Sequence, residues 1–281
     1  DIFKKLTIVP DGKNHGMMML LDWSGSMSDV LMNTVKQLIN LVEFTRKVNI
    51  PFEVYFFTSE RDYELKNEIT GFNHKHGDWL FENFHLVNCI SHRMNKKQID
   101  LALKTMYHMA LYFDSRYTHN YRHIDHDKYM ALNDSYGIPS RYYLGNTPLN
   151  ESLMYMNKMI PMFKKKYGIE KMTFITLTDG SGNYPKSHRH GISMQERDWD
   201  RENVYDLDGN KFVSRSNITE NLLSHIKSKH DVNTIGFYII KRVRRWDLER
   251  NVGDYKDYYD KMNKVNRMRK ELTTNKAVIV D

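Results

Sequence analysis

The chain has 281 residues, a formal net charge of +7 and a sequence pI near 9.1. With 40% apolar and 12% aromatic residues it can bury enough surface to offset the entropy of ordering, which excludes a disordered chain. Its 6 Pro and single cysteine, Cys89, exclude collagen-like and disulfide-stapled scaffolds, and the lone thiol points to a reducing, cytoplasmic setting.

The longest apolar run, Met17 to Leu21, falls short of the roughly 18 residues a membrane helix needs, so no membrane association is expected. No secretory pattern opens the chain, and its start at Asp1 gives the expectation of a polypeptide cut short upstream.

Gly16 to Leu21 (GMMMLL) is continuously apolar, as a strand buried on both faces of a parallel sheet would be. Val30, Leu31, Val35, Leu38, Ile39, Val42 and Phe44 recur at helical spacing and predict a helix over about 28–48. Ile50 to Thr58 (IPFEVYFFT) reads as the second strand of a β-α-β unit. A helix is expected from Lys96 to Phe113, then a polar, His/Tyr-rich insertion over about 114–145. Leu149 to Tyr167 predicts a third helix, stopped by Gly168, followed by the strand Met172 to Leu177.

A second insertion, about 181–217, contains a small hairpin turning at Asp208-Gly209. Ile218 to His230 reads as helix and Val232 to Ile240 as strand. A helix over about 254–272 and a short strand, Ala277 to Val280, close the chain. The alternation predicts one α/β domain over 1–281, doubly wound around a mostly parallel sheet with helices on both faces. Ligands of such sheets sit beyond the carboxyl ends of the strands, where strand order reverses.

Those ends carry oxygen ligands: Asp22, Ser24 and Ser26 after the first strand, Thr147 before the third helix, and Asp179 after the strand Met172 to Leu177. Two carboxylates and three hydroxyls, without Cys or His, form a hard oxygen set suited to magnesium, manganese or calcium rather than zinc. With only two negative charges from the protein, such a site leaves the ion no more than balanced and can accept a carboxylate from elsewhere. Gly25 is expected to supply a tight turn that points Ser24 and Ser26 inward.

The same residues have other readings. Asp22 and Asp179 suit helix N-caps, and Thr147 suits one with Pro148 at the first helical position. An aspartyl phosphotransferase would also place an acid after the first strand, but needs a second acid where Ser24 stands. A serine hydrolase would need a G-x-S-x-G elbow, which Trp23-Ser24-Gly25-Ser26 does not supply. His119, His123 and His126, with Asp125 or Asp127, have helical spacing for zinc but no evident fourth ligand. His188 and His190 follow Asp179 closely enough to grip an acidic partner.

The basic clusters Lys164 to Lys166, Lys241 to Arg245 and Arg267 to Lys270 read as solvated helix faces and element ends. No nucleic-acid-binding motif accompanies them, so nucleic acid is not an expected partner.

DWSGSM (Asp22 to Met27), GNTPLNESL (Gly145 to Leu153) and LTDG (Leu177 to Gly180) resemble, in order and context, the three parts of the metal-ion-dependent adhesion site of von Willebrand factor A domains. The resemblance spans about His15 to Ile240. It implies a Rossmann-like domain in which Asp22, Ser24, Ser26, Thr147 and Asp179 hold one divalent ion, magnesium or else manganese or calcium. It further implies that a partner's exposed Asp or Glu completes the coordination. EVYFFTSE (Glu53 to Glu60), the His/Tyr-rich insertion and the closing AVIVD are similar to the C-terminal part of the cobaltochelatase subunit CobT and its phage-encoded relatives.

That likeness implies a metal-dependent adaptor presenting magnesium to an acidic residue of a partner, a MoxR- or CobS-like AAA+ ATPase. The chain has no Walker A sequence of its own. The alternative is a metal-dependent enzyme or cobaltochelatase-type component acting on a small molecule, with His188 or His190 as acid or base. A third reading, extracellular adhesion, fits poorly with one cysteine.

Overall fold

The computed structural model describes residues 14–59, 79–80, 84–117, 138–139, 142–180, 182, 186–187, 204–207, 209–213, 218–239 and 258–275. The chain divides into two compact units, Asp1–Ile239 and Ile240–Asp281. In the first, β1 (His15–Asp22), α1 (Leu31–Lys47), β2 (Phe52–Ser59), β3 (Trp79–Leu80), β4 (Phe84–Ser91), α2 (Lys96–Tyr117) and α3 (Leu149–Tyr167) are followed by β5 (Lys171–Thr178), β6 (Lys186–Ser187), β7 (Val204–Leu207), β8 (Asn210–Val213), α4 (Ile218–His230) and β9 (Val232–Tyr238). The described part of the second unit is α5 (Tyr258–Asn275), on which Val265 and Met268 are buried.

The main sheet has the order β4-β2-β1-β5-β9. β1 runs parallel to both β2 and β5, β5 parallel to β9, and β4 antiparallel to β2 at one edge. β3 pairs with β6, and β7 with β8 as the expected hairpin. The chain leaves β1 to form β2 on one side and returns to form β5 on the other, so strand order reverses at β1.

The doubly wound arrangement follows from the pleat. Successive residues of β1 point to opposite faces, and both faces are covered. Met19 and Leu21 join one core with Leu31, Val35, Leu38 and Val42 of α1 and Ile99, Leu103 and Met106 of α2. Met18 and Leu20 join a second with Leu153, Met156 and Ile160 of α3 and Leu222 and Ile226 of α4. This two-sided burial is why GMMMLL carries no polar alternation.

Several boundaries differ from the sequence expectation. The helix expected over 28–48 starts at Leu31, because Gly25–Asp29 forms a separate 3-10 turn. Strand β4 is not legible as a strand from its sequence, FHLVNCIS. It is an edge strand with only Ile90 and Ser91 fully buried, and its polar residues serve a neighbour: Asn88 and Ser91 donate to buried Glu53 of β2 at 2.7 and 2.9 Å. Of the insertion at 114–145, Asp114 to Tyr117 belongs to α2. The strand Ala277 to Val280, His119, His123, His126, Asp125, Asp127, His188 and His190 lie outside the described residues.

Candidate metal site

The parallel register sets Leu21 opposite Leu177, so Asp22, the last residue of β1, falls beside Thr178, the last of β5. Thr178 Oγ1 donates to Asp22 Oδ2 at 2.6 Å, and the Ser24 amide donates to Oδ1 at 3.0 Å. The 3-10 turn then brings Ser24 Oγ within 3.0 Å of Ser26 Oγ, which donates to Asp179 Oδ1 at 2.9 Å. Asp22, Ser24, Ser26 and Asp179 thus form one hydrogen-bonded arc across the β1–β5 switch point.

The expected role of Gly25 is corrected here. The positive-φ glycines among the described residues are Gly168 and Gly209, and a Cβ on Gly25 would meet nothing closer than Gly145 O at 3.7 Å. The turn itself, rather than a conformation reserved for glycine, gathers the two serines.

Thr147 reaches this edge by another route. Ser24 forms a parallel bridge with Gly145, and the Gly25 amide donates to Gly145 O at 2.8 Å, which leaves half-buried Thr147 two residues further along. Helix α3 begins at Leu149 with Pro148 in the cap position, so Thr147 stands one residue outside the N-cap position that the sequence also allowed it. Asp22 caps no long helix either; its oxygens are taken by Ser24 and Thr178.

The electrostatics of the arc are strained. Asp22 and Ser24 are buried, Asp179 is half-buried, and Ser26 is exposed. Burial pushes the Asp22 carboxyl from its ordinary 3.8 up to about 6, and the charge of Asp179 adds to the rise while the hydrogen bonds from Thr178 and Ser24 oppose it. Burial also raises Asp179, against the Ser26 hydrogen bond. No described ion pair neutralises either acid.

A buried acid and a half-buried one, with hydroxyl neighbours and no ion-paired counter-charge among the described residues, are a donor set that a hard divalent cation fits. Among the described residues no three His, Cys, Asp or Glu side chains gather as a metal cluster, so such an ion would depend on these hydroxyls. Sequence reading passed over Thr178 beside Asp179, took Thr58 only as the end of the second strand, and noted Ser59 only within the stretch Glu53 to Glu60.

No protein-family profile matches the chain, and no curated protein sequence matches it. Solved structures similar to it include the pilus adhesin SpaC from Lactobacillus rhamnosus GG, at TM-score 0.43 and 12% identity, covering 94% of this chain and 31% of that one. A second structure of that adhesin, in an open conformation, matches at TM-score 0.45 and 13% identity, covering 94% of this chain and 30% of that one. This chain therefore spans less than a third of the adhesin's length. Among the described residues no helix is long and apolar enough to cross a membrane.

Proposed function

We propose that this chain is a von Willebrand A-type binding domain whose Asp22, Ser24, Ser26, Asp179 and Thr147 hold one divalent cation, magnesium by preference, and offer it to an acidic side chain of a partner protein. The observation that carries this reading is the arc from Asp22 to Asp179, with two acids raised by burial, no ion pair on either among the described residues, and an exposed rim at Ser26. When bound, the cation would be balanced by the two carboxylates, with neutral hydroxyls as its other protein donors, and would keep an open position for one more carboxylate. The protein's own residues fix Asp22 from both sides and leave the Ser26 edge open to approach.

Within the same reading, the partner is a ring-forming AAA+ ATPase of the MoxR or CobS kind, the setting is the cytoplasm, and the chain acts as an adaptor rather than a catalyst. The partner and the adaptor role rest on the similarity of Glu53 to Glu60, the His/Tyr-rich insertion and the closing AVIVD to CobT, and the cytoplasmic setting on the single cysteine.

The test is manganese and magnesium titration by calorimetry on the native chain, Asp22→Ala and Asp179→Ala, with and without free acetate. Saturable binding that both substitutions abolish, and that acetate modulates, is the expected outcome. Equal binding by all three proteins would sink the site.

A further inference from the structure

We propose that Thr58 and Ser59, at the carboxyl end of β2, are positioning residues that set the Thr147 hydroxyl at the metal site, an inference that rests on the reading above. Neither belongs to the set of candidate ligands. Both side chains instead grip the backbone that leads into Thr147.

The Thr58 hydroxyl donates to Tyr143 O at 3.3 Å and accepts the Gly145 amide at 2.9 Å. The Ser59 hydroxyl accepts the Asn146 amide at 2.7 Å. From the β1 side, the Trp23 indole donates to Tyr142 O at 2.8 Å and the Gly25 amide to Gly145 O at 2.8 Å. The backbone at 142, 143, 145 and 146 is therefore fastened on both sides, with buried Leu144 between, and the next residue is Thr147.

The fit is close enough to dictate the residue at 145. A Cβ on Gly145 would lie 2.4 Å from Ser59 O, 2.5 Å from Ser59 Oγ and 2.8 Å from Thr58 Oγ1. Two of these three atoms are the hydroxyls that hold the loop. A ligand carried on an unsecured loop costs ordering entropy when it binds an ion, and outer partners that fix a ligand typically contribute about 10- to 100-fold in affinity.

The experiment compares the native chain, Thr58→Val, Thr58→Ser and Ser59→Ala by manganese calorimetry and by amide hydrogen exchange at Gly145 and Asn146 in the metal-free protein. The manganese dissociation constant is expected to rise about tenfold in Thr58→Val and in Ser59→Ala, with native affinity restored in Thr58→Ser. Exchange at Gly145 in Thr58→Val and at Asn146 in Ser59→Ala is expected to quicken. Should Thr58→Val not fold, Ser59→Ala, at the half-buried end of the strand, decides the matter. Native manganese affinity in both variants overturns the inference and leaves the metal site standing, as does equal loss in Thr58→Ser and Thr58→Val. Absence of binding by the native chain overturns both.

Discussion

Thr178 and Asp22 stand 156 residues apart in sequence and share a 2.6 Å hydrogen bond at the carboxyl ends of the neighbouring strands β1 and β5. Because the Ser24 amide occupies the other carboxylate oxygen, Asp22 is oriented before any ion reaches it. Such prior orientation lowers the cost of binding.

Replacing Thr178 with valine keeps the shape and removes that donor. Since the bond favours the charged form of Asp22, its loss should raise the carboxyl further and weaken manganese binding at neutral pH, by about 1.5–3 kcal/mol for a bond to a charged group. Titration at several pH values from about 5.5 to 8 checks this: the midpoint for binding should move to higher pH, and an unmoved midpoint would refute the role given to Thr178.

Asp22 also makes the metal-free chain pH-sensitive. Its folded value of about 6 lies above the ordinary 3.8, so the native state holds a proton that the unfolded chain releases first. Stability from this group is present at low pH and is lost as pH rises from about 4 through about 6, on the order of 3 kcal/mol. Melting curves of the native chain and Asp22→Asn between pH 4.5 and 7.5 isolate it. The asparagine variant should be the more stable of the two at pH 7 and should bind no manganese, since Thr178 can turn its hydroxyl to Gly180 O at 3.0 Å.

Two glycines should respond differently. Gly25→Ala adds a methyl whose nearest non-neighbouring atom is 3.7 Å away and should change the melting temperature little, whereas Gly145→Ala drives one into the Ser59 backbone. The second substitution should lower the melting temperature by several degrees and reduce manganese affinity at least tenfold. Thermal scans paired with calorimetry separate the two cases.

Ser26→Ala removes an exposed hydroxyl that links Ser24 to Asp179. Exposed positions tolerate substitution within about 0.5 kcal/mol, so stability should hold. Manganese affinity should still fall, because the arc loses its middle member. Unchanged affinity would confine the site to the two acids.

Much of this was legible in residue order. The run Met17 to Leu21 announced a strand covered on both faces, and Leu149–Tyr167 and Ile218–His230 fall where helical periodicity places them. Strand ends also nominated Asp22, Ser24, Ser26 and Asp179, which do meet. What the sequence could not reveal depends on pairing between distant segments. Thr178 matters because of its register with β1, Thr58 and Ser59 because the 142–146 segment lies beside β2, and β4 because an edge strand needs no alternating pattern when its Asn88 and Ser91 face a buried glutamate.

The long reach between β1 and β5 bears on when this protein becomes functional as it folds. A fragment ending before residue 171 holds Asp22, Ser24, Ser26 and Thr147 but not the strand that closes the arc. Contacts of such sequence separation are slow to form. An ion that recognises only the completed arc therefore has nothing to bind early, and its presence would slow unfolding far more than it hastens folding. Capture of a cation would then report that the two halves of the sheet have met.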